Sequence, residues 1–291
     1  MRTEKQMLEL IMGTAKNSER IRAVIMNGSK INPEAPKDIF QDYDILYVVS
    51  DIEHFTKDHS WIDLFGEIMI MQMPEDMIYP PPKKDGSFSY LMQFSDGNRL
   101  DLTLYQLSTI HQFKHESLSQ VLLDKDLAFQ YLESPSNKDH LPIKPSRKEF
   151  IDCCNEFWWV STYVAKGLWR KEITYAKHIH EQVLREPLFK MLDWHIGDTT
   201  GYTVSSGKYG KYYSKLLSPE YWQMLKGSYS GSDIEEAWDA LFVIANLFRK
   251  AAISVANANQ FGYLKAEDEK VMAHLKYVRG LPSDALDMYP S

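Results

Sequence analysis

Three short stretches carry side chains that could do chemistry together. Asn27-Gly28-Ser29 follows an apolar, β-prone run, Val24-Ile25-Met26, as a turn follows a buried strand. Gly28 lets the backbone come close to a ligand, and the Ser29 hydroxyl can donate to a phosphate oxygen. Asp42 and Asp44 stand one residue apart at the head of a second strand-like run, Ile45-Leu46-Tyr47-Val48-Val49, so a strand period of two sends both carboxylates to one face. Two like charges so close call for a cation, and hard oxygen ligands suit Mg²⁺. Asp101 lies inside a third run, where Leu100, Leu102 and Leu104 share one face and Asp101 and Thr103 the other. It is either a third carboxylate, brought to the pair by a neighbouring strand, or a solvent-facing aspartate on an edge strand. With three acids the set suits metal-assisted attack on a nucleoside triphosphate, using two Mg²⁺ ions for in-line displacement. No GxxxxGK[ST], HRD or DFG is present, which sets the chain apart from P-loop proteins and protein kinases.

The elements that must position these residues are legible around them. Met7, Leu8, Leu10, Ile11 and Ala15 fall at roughly helical spacing and predict a helix over 3–16 that packs on the sheet. Asn32 to Asp38 is rich in turn formers and reads as a loop able to arch over a ligand. Residues 61–73 begin helix-like and turn β-prone before Pro74 and Pro80-Pro81-Pro82 interrupt them. Asp96-Gly97 between two alternating runs, 88–94 and 99–105, predicts a hairpin. Beyond Asp124-Lys125-Asp126 the composition changes, with Pro135, Pro142 and Pro145 marking a linker into a strongly helical half.

In that half Phe150, Cys154, Phe157, Ser161, Val164 and Leu168 form a core-facing seam. A second seam runs through Asp152, Glu156, Trp159, Tyr163, Lys166 and Arg170. Glu156 with Trp159 and Tyr163 would suit a sugar bearing cationic groups, and Lys166 would suit phosphates; a merely solvated face is the alternative. Residues 207–213, with Lys211, read either as a nucleotide-side clamp or as an ordinary surface loop. His178 and His180 beside Glu181 are too loosely spaced on a helix to face one another, so cleft or surface histidines are expected there instead of a metal site. Residues 238–256 read as one amphipathic helix.

Composition narrows the partners. Forty acidic against 33 basic residues give a net charge of −7, which argues against nucleic acid and favours a cationic substrate. The two cysteines, Cys153 and Cys154, are adjacent and suit buried thiols in a reducing cytoplasm. Neither a signal peptide nor a membrane-spanning run is visible, so a soluble cytoplasmic protein, monomer or weak dimer, is expected.

The chain resembles the nucleotidyltransferase superfamily with a polymerase-β-like core and, more closely, the aminoglycoside 6-adenylyltransferases, which modify streptomycin and confer antibiotic resistance. The residues that carry the likeness are Asn27-Gly28-Ser29, Phe40-Gln41-Asp42-Tyr43-Asp44, Ile70-Met71-Gln72-Met73-Pro74, Leu100 to Leu104, Leu122 to Asp126, and above all Asp152 to Trp158 running on through Thr162 to Leu168. The resemblance implies an α+β fold: an N-terminal nucleotidyltransferase domain with a mixed sheet and flanking helices over residues 1–145, then a mainly helical substrate-binding domain over 146–291. It implies transfer of AMP from Mg-ATP to the 6-hydroxyl of streptomycin with release of pyrophosphate. Carried over by motif, Asp42, Asp44 and Asp101 would hold the metal ions, Asp101 would help activate the hydroxyl, and Gly28 and Ser29 would hold phosphates. Lys30 stands where the family commonly has arginine, keeping the charge without the planar fork. His178 stands where the family has an aspartate, which changes a group expected to meet the substrate. Tyr105-Gln106-Leu107 replaces a more apolar continuation. A different acceptor, or a nucleotide-binding module without turnover, is the competing reading.

Overall fold

The computed structural model describes residues 1–82, 84–112 and 115–289, the side chain of residue 112 excepted. It divides into two compact units, residues 1–139 and 140–291.

The first unit opens with helix α1 (Glu4–Asn17), begun by a Thr3/Gln6 capping box that satisfies backbone donors at its first turn. Six strands follow: β1 (Ile21–Asn27), β2 (Tyr43–Val49), β3 (Ile68–Gln72), β4 (Ser87–Phe94), β5 (Arg99–Gln106) and β6 (Ser119–Asp124). They form one mixed sheet in the order β3-β4-β5-β2-β1-β6. Among the described residues only β2 and β5 pair in parallel; the remaining neighbours are antiparallel, including the β4–β5 hairpin.

Alternation decides which residues the sheet buries under α1. Tyr43, Ile45, Tyr47, Leu100, Leu102 and Leu104 join Met7, Ile11 and Ala15 in one core. On the opposite face Ala23, Ile25, Leu46, Val48, Tyr105 and Phe129 form a second, smaller core. Asp44 and Asp101, which alternate with the first set, belong to that opposite face. The Tyr47 hydroxyl donates to the Ile11 carbonyl at 2.6 Å, which gives its buried oxygen a partner and pins α1 to the sheet.

The connections contain the 3₁₀ turn Ser29–Ile31, a short helix α2 (Ile52–Thr56) and a 3₁₀ segment His59–Phe65 that stops at Gly66 before β3. The passage from helix-like to β-prone character in residues 61–73 therefore falls at Gly66. Strand β6 has little signature in the sequence, because Ser119–Asp124 alternates weakly and is only partly buried at the sheet edge.

The second unit is helical: α3 (Arg147–Trp169), α4 (Ile173–His178), a π-helical turn (Ile179–Leu184), α5 (Arg185–Thr200), α6 (Tyr213–Leu216), α7 (Pro219–Gly227), α8 (Ile234–Asn259) and α9 (Lys265–Gly280). Ser146 and Glu149 cap α3 reciprocally. All six residues of the first α3 seam, from Phe150 to Leu168, are buried. Phe157 stacks on Phe248 of α8 with ring centroids 3.8 Å apart. Cys153 and Cys154 are free and buried, and burial pushes the Cys153 thiol up to about 12. No helix among the described residues is long and apolar enough to cross a membrane.

Candidate active site

Two strands running in the same direction bring the acids together. Parallel pairing sets Asp44 of β2 directly opposite Asp101 of β5, and Asp42 immediately precedes β2. Carboxylate oxygens from all three lie within 4.8 Å of one another. The edge-strand alternative for Asp101 is excluded, since β5 lies inside the sheet between β4 and β2.

On the other side of Asp44, β1 ends at Asn27, which pairs with Asp44 across one ladder and with Ser119 of β6 across the other. Ser119 Oγ donates to Asn27 Oδ1 at 2.7 Å. Gly28 then turns the chain at φ 78° and ψ −149°, and its N–H donates to the Leu118 carbonyl. A side chain there would run into the Asp44 carboxylate, so glycine is required both by the backbone and by the space. Ser29 follows at the start of its 3₁₀ turn, and its hydroxyl has no hydrogen-bond partner among the described residues. Gln41 Nε2 donates to the Ser29 carbonyl at 3.2 Å, tying the chain that leaves the turn to the chain that returns as β2.

The electrostatics of the cluster are uneven. Arg99, at the start of β5, donates to Asp101 from Nε at 2.8 Å and from Nη2 at 2.7 Å, and its Nε lies 3.7 Å from Asp42. Asp44 accepts no hydrogen bond from the described residues. Burial first, then the charges of Asp42 and Asp101, push the Asp44 carboxyl up to about 7. Glu116 adds to that push, and Arg99 opposes it. An all-oxygen donor set that raises one of its own members so far fits a divalent cation, above all Mg²⁺ or Mn²⁺.

The remaining expected residues lie as follows. Lys30 stands over the Tyr43 ring, its Nζ 4.2 Å from the centroid. In the helical unit the second α3 seam is divided between two concavities. Glu156 and Asp152 line one of about 350 Å³ with Glu149, Glu186 and Lys190; Tyr163, Lys166 and Arg170 line another of about 440 Å³ with Trp169 and His274. Trp159 is 59% exposed and donates from Nε1 to the Tyr163 hydroxyl at 2.7 Å, while Lys166 lies against the Tyr163 ring. Lys211 lies over the Tyr212 ring in a loop anchored from below, where the buried Tyr213 hydroxyl donates to Asp193 at 2.8 Å.

His178 and His180 do not face one another. His178 is exposed at the end of α4, whereas His180 is buried inside the π-helical turn with Nδ1 3.0 Å from Glu181. Glu181 also accepts from Lys177 at 3.0 Å and from Arg185, which is itself buried and donates to the Ser228 carbonyl at 2.7 Å. Burial works to raise Glu181, but the bonds from His180, Arg185 and Lys177 outweigh it and hold the carboxyl far below the usual range.

Sequence reasoning missed Arg99, Glu116 and the Glu181–Arg185 pair. Arg99 was detectable, since it lies two residues before Asp101 and strand alternation puts both on one face. Glu116 is contributed by a connection with no periodic signal, and the π turn depends on helix packing.

A model of the family described as "Streptomycin adenylyltransferase" matches residues 1–278. An aminoglycoside 6-adenylyltransferase from Bacillus subtilis (strain 168) is 41% identical over 265 residues, covering 90% of this chain and 93% of that protein. Another from Staphylococcus aureus is 37% identical over 265 residues, with coverages of 90% and 94%. A crystal structure of an aminoglycoside 6-adenyltransferase from Bacillus subtilis is 37% identical and spans 97% of this chain and 100% of that one, with a TM-score of 0.48.

Proposed function

The chain belongs to the streptomycin adenylyltransferase family, and on that premise we propose that it transfers AMP from Mg-ATP to the 6-hydroxyl of streptomycin and releases pyrophosphate. The observation that carries this reading is the three-carboxylate cluster of Asp42, Asp44 and Asp101 beside the Gly28 turn. In the reaction a bond forms between the acceptor oxygen and the α-phosphorus. The bond from that phosphorus to the bridging oxygen of the β-phosphate breaks, the hydroxyl proton leaves, and pyrophosphate departs. Asp42, Asp44 and Asp101 would hold Mg²⁺, which when bound supplies charge neutralisation on the phosphates and a more acidic acceptor hydroxyl.

The chain's own groups do the rest. The bend at Gly28 keeps side-chain atoms out of the space in front of Asp44, so a phosphate can approach the backbone there. The Ser29 hydroxyl, without a hydrogen-bond partner among the described residues, is a donor for a phosphate oxygen, and Lys30, whose Nζ lies over the Tyr43 ring, carries positive charge on the same turn. Asp101 is the acid we assign to orienting the acceptor hydroxyl and taking its proton. In the helical unit, the concavity lined by Glu149, Asp152, Glu156 and Glu186 supports recognition of a cationic acceptor, carboxylates being the natural partners of guanidinium groups.

The test is transfer by Asp101→Asn and Asp101→Ala. Both are expected to lose transfer by a factor of about 10² or more while keeping the cooperative unfolding of the wild type. Near-normal turnover in either variant removes Asp101 from the mechanism. A second acceptor class is checked in the same assay by replacing streptomycin with spectinomycin or kanamycin.

A further inference from the structure

Arg99 holds the place where a cation is wanted. It donates twice to Asp101, at 2.8 and 2.7 Å, and stands 3.7 Å from Asp42, so one planar guanidinium spans two of the three carboxylates. The third, Asp44, receives no hydrogen bond from the described residues. The side chain of Arg99 is 48% exposed and those of Asp42 and Asp101 are 30% and 18% exposed, so the guanidinium sits on the solvent side of the acids.

We propose that Arg99 is the site's internal counter-ion: it neutralises Asp42 and Asp101 until a metal arrives, must be displaced for the metal to bind, and so selects a cation delivered with a polyphosphate over a bare cation. The inference rests on the metal-dependent reading of the three acids. Its physical basis is competition. A divalent ion binding all three carboxylates takes the oxygens that Arg99 now uses, and the charge-assisted bonds lost subtract from the ion's affinity. A polyphosphate arriving with the ion offers the released planar guanidinium a new anion that can accept two hydrogen bonds, which cancels the loss. A bare ion offers nothing in return. Arg99 is on this account a positioning residue, acting through Asp42 and Asp101.

The experiment is Mn²⁺ binding, followed by the spin-resonance signal of free Mn²⁺, in the wild type, Arg99→Gln, Arg99→Lys and Asp44→Asn. Without nucleotide, Arg99→Gln is expected to bind Mn²⁺ about fivefold to tenfold more tightly than the wild type, the effect of removing the charged contacts of one half-exposed guanidinium. Arg99→Lys, which keeps charge but not the fork, is expected to fall between them, and it carries the test should the glutamine variant fail to fold. With a nonhydrolysable ATP analogue present, the gain is expected to vanish. A merely structural Arg99 would weaken Mn²⁺ binding when removed, and that result, or unchanged affinity, overturns the proposal. Equal tightening with and without the analogue overturns the selection of polyphosphate-borne cations.

Asp44→Asn separates the metal site from the counter-ion role, because it removes a carboxylate of the cluster without touching the Arg99 contacts. Loss of Mn²⁺ binding in that variant beside unchanged binding in Arg99→Gln would refute the counter-ion role and leave the metal site standing. Unaltered binding in Asp44→Asn would refute the metal site itself, and the counter-ion role with it.

Discussion

Replacing Asp44 by asparagine is expected to make the metal-free protein more stable at alkaline pH while destroying its chemistry. The Asp44 carboxyl is pushed up to about 7 from an ordinary 3.8, chiefly by burial and then by Asp42 and Asp101. A raised carboxyl favours the protonated fold. Its contribution is therefore fully present below about pH 4 and is lost as pH rises through about 7. About three units at ~1.4 kcal/mol each bound the cost of the ionised group near 4 kcal/mol, and partial solvation brings the expected range to about 2–4 kcal/mol. Asparagine keeps the shape and cannot ionise, so its advantage over the wild type grows between about pH 4 and pH 7 and then levels off. The assay is urea unfolding in the presence of a chelator at about pH 4 and about pH 8. Adding Mg²⁺ or Mn²⁺ in place of the chelator is expected to stabilise the wild type at about pH 8 and leave the variant unchanged. A variant no more stable than the wild type at about pH 8, without metal, refutes the electrostatic account of the site.

Three further outcomes follow from the same geometry. Gly28→Ala forces a side chain against Asp44 at φ 78° and is expected to cost about 1–3 kcal/mol and to abolish transfer, read by unfolding and by pyrophosphate release. Glu181→Gln leaves the buried Arg185 without its carboxylate and is expected to destabilise the helical unit by about 3 kcal/mol or more, a value that calorimetry would measure. The depressed Glu181 carboxyl contributes stability present above about pH 4.5 and lost as pH falls below it, so the gap between wild type and variant should narrow in acid. Cys153 and Cys154, both buried, are expected to resist an aromatic disulfide reagent in the native protein at neutral pH and to react once it is unfolded; prompt labelling would contradict their burial.

The parts of the fold written in short-range periodicity were legible before any coordinates. The hairpin at Asp96-Gly97 and the buried α3 seam from Phe150 to Leu168 rest on local alternation and helical spacing, which tertiary context here reinforces. The proximity of Asp42 and Asp44 follows from strand geometry alone. That Asp101 stands opposite Asp44 does not, since it depends on β5 pairing in parallel with a strand more than fifty residues away. Nor does the edge strand β6, whose sequence carries little alternation. The second α3 seam looked continuous along the helix, but Asp152 and Glu156 line an acidic concavity, Tyr163, Lys166 and Arg170 a separate and largely apolar one, and Trp159 lines neither. The spacing of His178 and His180 excluded a shared face, yet the π-helical turn that buries His180 beside Glu181 is set by neighbouring helices and has no local signature.

The most direct test of the proposed chemistry is mass spectrometry of streptomycin after incubation with Mg-ATP and the protein, with pyrophosphate measured in the same reaction. The account predicts a gain of one AMP moiety on the drug, pyrophosphate in equal amount, and neither product with Asp44→Asn. Unmodified streptomycin in the presence of folded, ATP-binding wild-type protein would contradict it.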